Sequence, residues 1–242
     1  MQRVKSFCKP FLAKELKKDR VIGLKNNAVE ADMKTRASTI IRLLEKEYPQ
    51  AKIALKYNNP LELLVATILS AQCTDERVNK VTATLFKKYR NVGDYAYADL
   101  TELELDIRPT GFYRNKAKNI KQTGQILADR FSSQVPKTME EMLQLPGVAR
   151  KTANIVLQNA YGIIEGIAVD THVRKVSKRL GLTENEDQDK IEQDLMEIIP
   201  KNEWMRITDL LIFLGRNVCV AKKPHCEACV LNKICPSAFT FD

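Results

Sequence analysis

The chain has 242 residues, 44% of them apolar, enough to bury a real core in one large domain or two small ones and too many for a disordered tail. Lys and Arg number 39 against 30 Asp and Glu, a net charge of +9, which suits a polyanionic partner such as nucleic acid without separating DNA from RNA or a membrane surface. No apolar run approaches the roughly 18 residues of a membrane span, and no apolar stretch of secretory type opens the chain, so an intracellular protein without a membrane partner is expected.

Residues 1–32 carry Lys5, Lys9, Lys14, Lys17, Lys18 and Arg20 and read as a solvated basic extension able to add loose DNA affinity. Helical periodicity begins with Ile40, Ile41, Leu43 and Leu44. The next helix opens on Asn59 and Pro60 and carries Leu61, Leu64, Val65, Ile68 and Leu69. It runs out in Leu69-Ser70-Ala71-Gln72-Cys73-Thr74-Asp75, where Gln72 on its own is a solvent-facing residue at a helix end. Amphipathic segments follow near 75–89 and 113–131, the second entered through Gly111-Phe112-Tyr113-Arg114-Asn115-Lys116-Ala117. Phe112 there reads on its own as a core aromatic, and Lys116, Lys118 and Lys121 make either a phosphate-contacting face or an ordinary solvated one. Further segments are predicted near 138–144, 149–161, 171–180, 187–199 and 203–218, with short turns between them. No stretch alternates as a strand, so the fold class is all-α.

The segment Leu145-Pro146-Gly147-Val148-Ala149-Arg150-Lys151-Thr152-Ala153 joins a short helix started by Thr138 to a second carrying Val156, Leu157 and Ala160, a helix-hairpin-helix. Gly147 lets the backbone turn tightly, and the N–H groups of Val148, Ala149 and Arg150 at the second helix start are placed to take an anion such as a DNA phosphate. Lys151, by position alone, binds phosphate beside Arg150. Downstream, Val169-Asp170-Thr171-His172 leads into another helix, which Asp170 or Thr171 is suited to cap. Cys219, Cys226, Cys229 and Cys235 close the chain with the spacing C-x6-C-x2-C-x5-C. Four clustered thiolates imply a metal, and their number alone leaves zinc and an iron–sulfur cluster both open. Cys8 and Cys73 fall outside that spacing and carry no assignment.

The nine-residue hairpin, the Val-Asp-Thr-His loop, the Leu-Ser-Ala-Gln segment and the cysteine spacing together resemble the endonuclease III family of DNA glycosylases, over residues 33–236. The one departure in the hairpin is Ala149, where the family has a second glycine, so the backbone there must avoid conformations reserved for glycine. The resemblance implies that Lys151 is the nucleophile: its amine attacks the anomeric carbon, expels the base and forms a Schiff base with the opened sugar. The start of a helix, together with desolvation against DNA, favours the neutral amine this needs. It implies that Asp170 is the carboxylate that stabilises positive charge building on the sugar. Gln72 would fill the space left by a flipped nucleotide, Phe112 would wedge between bases, and His172 would contact phosphate or substrate. The cysteine spacing matches the family's [4Fe–4S] site, which would tie a terminal segment too poor in apolar residues to fold alone and hold Lys222, Lys223 and His225 toward phosphates.

By the same resemblance the fold has two helical lobes with DNA across the cleft. Residues 53–164 would form a six-helix lobe bearing the hairpin, and residues 33–52 plus 165–242 a second lobe with the cluster. The implied activity is excision of oxidised pyrimidines from double-stranded DNA with nicking at the resulting or pre-existing abasic sites, by a monomer working in the nucleoid if the source is prokaryotic. Two alternatives share features with it: an adenine- or thymine-mismatch glycosylase, and a non-catalytic, zinc-stabilised DNA-binding module.

Overall fold

Asn59, Thr74, Asn91, Asp99, Thr138, Asp170 and Asp187 each place a side-chain oxygen on a backbone N–H two or three residues on, and seven helices begin at those points. First-turn N–H groups have no partner inside a helix, so each cap supplies one. The computed structural model describes residues 31–241, among which there are eleven α-helices and no strand. In order they are α1 (31–47), α2 (Pro60–Leu69), α3 (Asp75–Lys88), α4 (Val92–Ala96), α5 (Leu100–Ile107), α6 (Tyr113–Arg130), α7 (Met139–Met142), α8 (Arg150–Tyr161), α9 (Thr171–Arg179), α10 (Gln188–Ile198) and α11 (Trp204–Asn217). The all-α expectation is met. The basic extension lies, but for its last two residues, outside the described residues.

Two helices come without warning from periodicity, because α4 and α5 have five and eight residues and too few turns to display one. Their starts are nonetheless written locally. Asn91 and Asp94 form a reciprocal capping box at α4, and Asp99 caps α5 by accepting from Glu102 N.

Buried apolar side chains fall into two clusters. One is built from residues between Leu55 and Leu157, with Leu63, Leu64, Leu103, Leu127 and Met142 shielded from solvent. The other joins Ala37, Ile40, Ile41 and Leu44 of α1 to Ile167, Val173, Val176, Leu195, Leu210, Leu214 and Leu231. The chain thus leaves the second cluster after α1, builds the first from α2 to α8, and returns. Polar ties join them. Glu192 on α10, 4% exposed, accepts from Arg150 Nε at 2.7 Å and from Asn154 Nδ2 at 2.9 Å, both on α8. Arg216 on α11 reaches Asp75 at the start of α3 at 2.6 Å.

Close helix contact in the first cluster depends on Gly124. A Cβ there would stand 2.8 Å from Ala96 N and 3.1 Å from Tyr95 Cβ, on the α4 backbone that α6 crosses. Gly124→Ala should therefore lower stability, by about 1–3 kcal/mol of overpacking against a helix-propensity gain of about 1 kcal/mol. Urea unfolding checks this, and a raised midpoint would show that α4 yields freely.

Candidate active site between the two cores

The α7–α8 hairpin is pinned from inside. Val148 is buried in the first core and its N–H donates to Leu145 O at 3.1 Å. Thr123 Oγ1 donates to Pro146 O at 3.2 Å. Gly147 sits at φ +77°, and a Cβ would come within 2.7 Å of Asn119 Nδ2, so both backbone and neighbour demand glycine. Ala149 lies at φ −91°, ψ 172°, an extended conformation open to any residue. The departure from a second glycine therefore costs the turn no strain.

No side chain caps α8, in contrast to the seven helices that begin on a cap. A cap contributes about 1 kcal/mol, and its absence leaves the first-turn N–H groups and the positive dipole end available to an anion. Lys151 stands in that first turn and is exposed.

The chain reverses at Gly162, a left-handed C-cap at φ +67°, and returns to Asp170, 9% exposed. Asp170 Oδ1 accepts from His172 N and Val173 N, each at 2.8 Å, and so caps α9. Its Oδ2 lies 3.0 Å from His172 Nδ1. Burial pushes the Asp170 carboxyl up, but the His172 hydrogen bond, the Val173 amide and the charge of Lys151 outweigh it and hold the group below its ordinary value. An ionised carboxylate is thus fixed beside a lysine. His172 is itself backed against α11 through Gly215, where a Cβ would stand 3.0 Å from His172 Cβ.

Lys151 and Asp170 line two adjoining pockets that also share Ser70, Asp75 and Arg216. Gln72 and His172 belong to one of them, and Ile155, Met205, Asp209, Ile212 and Phe213 to the other. Gln72 is exposed at φ +53° and Phe112 is 64% exposed at φ +47°. Non-glycine residues held in the left-handed region cost on the order of 1 kcal/mol or more each, and the strain here presents two side chains outward.

Two sequence expectations are corrected. Lys116 does not face a phosphate: it is 5% exposed, and its ammonium donates to Leu69 O and Thr110 O, each at 2.8 Å, tying α6 to the end of α2. Val148 does not offer a free N–H, since Leu145 takes it. Arg150 is half committed, with Nε on Glu192 and 40% of its side chain exposed.

Sequence reading overlooks two groups. The Arg216–Asp75 pair forms one wall of the pocket, and nothing local predicts a contact 141 residues apart. Asp209 is the other. Burial raises its carboxyl to about 6, opposed by the charge of Arg206, and among the described residues no hydrogen bond reaches it. Its signal was a lone carboxylate on the face of α11 that carries Met205, Ile212 and Phe213.

Cys219, Cys226, Cys229 and Cys235 are free thiols lining one pocket with Arg179 and Phe241. Burial pushes the Cys229 and Cys235 thiols up, and the neighbouring cysteines push further, so four thiolates there need a positive centre. Arg179 Nη1 lies 3.3 Å from Cys219 Sγ. Among the described residues no three Cys, His, Asp or Glu side chains converge on a point suited to one metal ion. Four cysteine thiols that line one pocket are a donor set that fits a cluster bound by four thiolates.

The family model for the HhH-GPD superfamily base excision DNA repair protein matches residues 65–201, and that for the iron-sulfur binding domain of endonuclease III matches residues 219–235. Endonuclease III of Synechocystis is 53% identical over 86% of this chain and 95% of its own length. That of Bacillus subtilis is 47% identical over 78% and 86%. A non-covalent endonuclease III–DNA complex and a trapped endonuclease III–DNA covalent intermediate each superpose with TM-score 0.82 at 46% identity, covering 86% of this chain and 97% of theirs. A thermostable thymine-DNA glycosylase, 21% identical with TM-score 0.76, shares the fold.

The raised Asp209 carboxyl makes a stability prediction. Its folded state holds a proton that the unfolded state has lost between the ordinary carboxylate value and about 6, so its contribution is present at pH 3 and lost as pH rises through about 6. Asp209→Asn should therefore stabilise the protein at pH 8, by about 1–3 kcal/mol, with little effect at pH 4. Thermal unfolding at both values checks it, and equal effects would contradict it.

Proposed function

The chain belongs to the endonuclease III family of base-excision-repair DNA glycosylases, and from that membership we propose how its own residues perform the chemistry. It is a DNA glycosylase and abasic-site lyase, and its cofactor is a [4Fe–4S] cluster. Its substrates are oxidised pyrimidines in double-stranded DNA, bound by a monomer inside the cell. The two lobes are the two apolar clusters, with DNA across the cleft between them.

The uncapped start of α8, with Gly147 and Ala149 before it and Arg150 behind, grips the phosphate backbone beside the lesion. Phe112 wedges into the stack and Gln72 occupies the space the damaged nucleotide leaves. The Lys151 amine attacks the deoxyribose anomeric carbon, the glycosidic bond breaks, and the base departs with its bonding electrons. The resulting imine with the opened sugar acidifies the adjacent carbon, and loss of that proton expels the 3′ phosphate, nicking the strand. Asp170 stabilises the cationic sugar through its fixed negative charge, and His172 keeps it oriented. The observation that carries this reading is the Lys151–Asp170 pair at the shared wall of two pockets between the cores.

Cys219, Cys226, Cys229 and Cys235 are assigned as the cluster ligands. When bound, the cluster would be held by these four cysteines and would close residues 219–235 on one centre, next to α9 residues Val176 and Arg179 and away from the sugar chemistry. Lys222, Lys223 and His225, all exposed, lie on the loop it fixes.

On duplexes carrying single lesions, Lys151→Gln should bind but neither excise, nick nor form a borohydride-trapped adduct. Unaltered nicking would remove Lys151 from the mechanism. Asp170→Asn preserves the cap, since Asn caps as well as Asp, so its melting temperature should stay close to wild type while single-turnover excision falls on the order of 10²-fold. A large loss of stability with normal excision would reverse that assignment.

A further inference from the structure

Three carboxylates line the pocket that runs from Lys151 along α11: Asp75, Asp170 and Asp209. Two are spent. Asp75 holds Arg216, and Asp170 takes the α9 amides and His172. Asp209 is half-buried in that pocket and has no hydrogen-bond partner among the described residues. The nearest cation on its own helix, Arg206, directs its N–H groups at Glu45 and at the carbonyls of Tyr48, Pro49 and Ala51, and so meets Asp209 only through its field.

A carboxyl that lines a pocket without a protein partner has its hydrogen-bonding capacity open to a ligand. Three other polar side chains of the pocket spend their donors within the protein: Thr208 Oγ1 donates to Trp204 O, Gln158 Nε2 to Gly166 O and Asn159 Nδ2 to Ile155 O, while Lys52 and Lys151 line it as cations. Around Asp209 the wall is Met205, Ile212 and Phe213. Apolar sides that can hold a flat ring, with an unpaired carboxyl to orient it, are the anatomy of a small-ligand pocket. The same pocket carries Lys151, whose target sugar is joined directly to the base.

We propose that Asp209 is a specificity-determining residue which reads the C=O/N–H edge of the extruded base, donating a proton to a ring carbonyl oxygen while accepting from the adjacent ring N–H. Oxidised pyrimidines that keep an imide or ureide edge present that acceptor and donor side by side. Burial supports the pairing by keeping the proton on the carboxyl to a pH of about 6, and a base that offers both partners holds it there further. This inference rests on the proposed substrate class and adds to it which atoms of the base are recognised.

The test compares excision of thymine glycol, an oxidised pyrimidine that keeps its imide edge, from duplex DNA with nicking at a preformed abasic site, which presents no base, for wild type, Asp209→Leu and Asp209→Asn. Excision under single-turnover conditions should fall 10-fold or more in D209L and stay within about threefold in D209N, whose amide keeps a donor and an acceptor. Nicking should stay within about twofold in both, which also shows that both fold. Normal excision by D209L, parallel loss of excision and nicking, or D209N as poor as D209L would each overturn the proposal. Wild-type protein that nicks abasic sites but excises no oxidised pyrimidine would instead refute the substrate class, and this reading with it.

Discussion

Three hydrogen bonds converge on one carboxylate. The amides of His172 and Val173 and the His172 ring fix both oxygens of Asp170, and the rest of the site is arranged around that fixed negative charge. A helix cap and a catalytic carboxylate are usually weighed as rival readings of an Asp at a helix start. On the proposed mechanism one side chain serves both, because the geometry that caps α9 also immobilises the charge at the pocket wall. Preorganisation of this kind matters because a dipole or charge already in place needs no reorientation when the sugar turns cationic.

Two helix starts meet at the site with opposite designs. The start of α9 is satisfied from within by Asp170, while that of α8 is left open, and between them Gly162 reverses the chain. Each start belongs to a different apolar core. What holds the cores in register is polar: Glu192 with Arg150 and Asn154 in one place, and Arg216 with Asp75 in another. Glu192 is inaccessible enough that losing a partner would strand a buried charge, which costs several kcal/mol. Gly166 makes room for it, since a Cβ there would collide with Glu192 Oε1. Arg150, which resembles a phosphate ligand in sequence, thus ties the two apolar clusters together.

Much of this was legible beforehand, and the failures have physical reasons. The long helices declare themselves by period, and several of their starts by Asn59, Thr138 and Asp170, because a cap is a local event. Helices α4 and α5 are too short for a period to show, and only their caps reveal them. Lys116 is the instructive error. A lysine at the start of a basic helix reads as solvated, yet its stem crosses the core to two carbonyls, a partnership set by residues 47 and 6 positions away. Phe112 and Gln72 resolve in the other direction: each is held outward in a left-handed conformation that side-chain chemistry does not announce. Asp209 and the Arg216–Asp75 pair depend on tertiary approach and could be placed only once α11 was seen against α2 and α3.

The pocket, the open helix start and the pinned carboxylate acquire a common purpose only if one particular amine bonds to the sugar. Proteolysis and mass mapping of the borohydride-reduced protein–DNA adduct reads that bond directly. The account predicts that the deoxyribose remnant is found on the peptide containing Lys151, on its Nζ. A remnant on another lysine, or on the amino terminus, would contradict it.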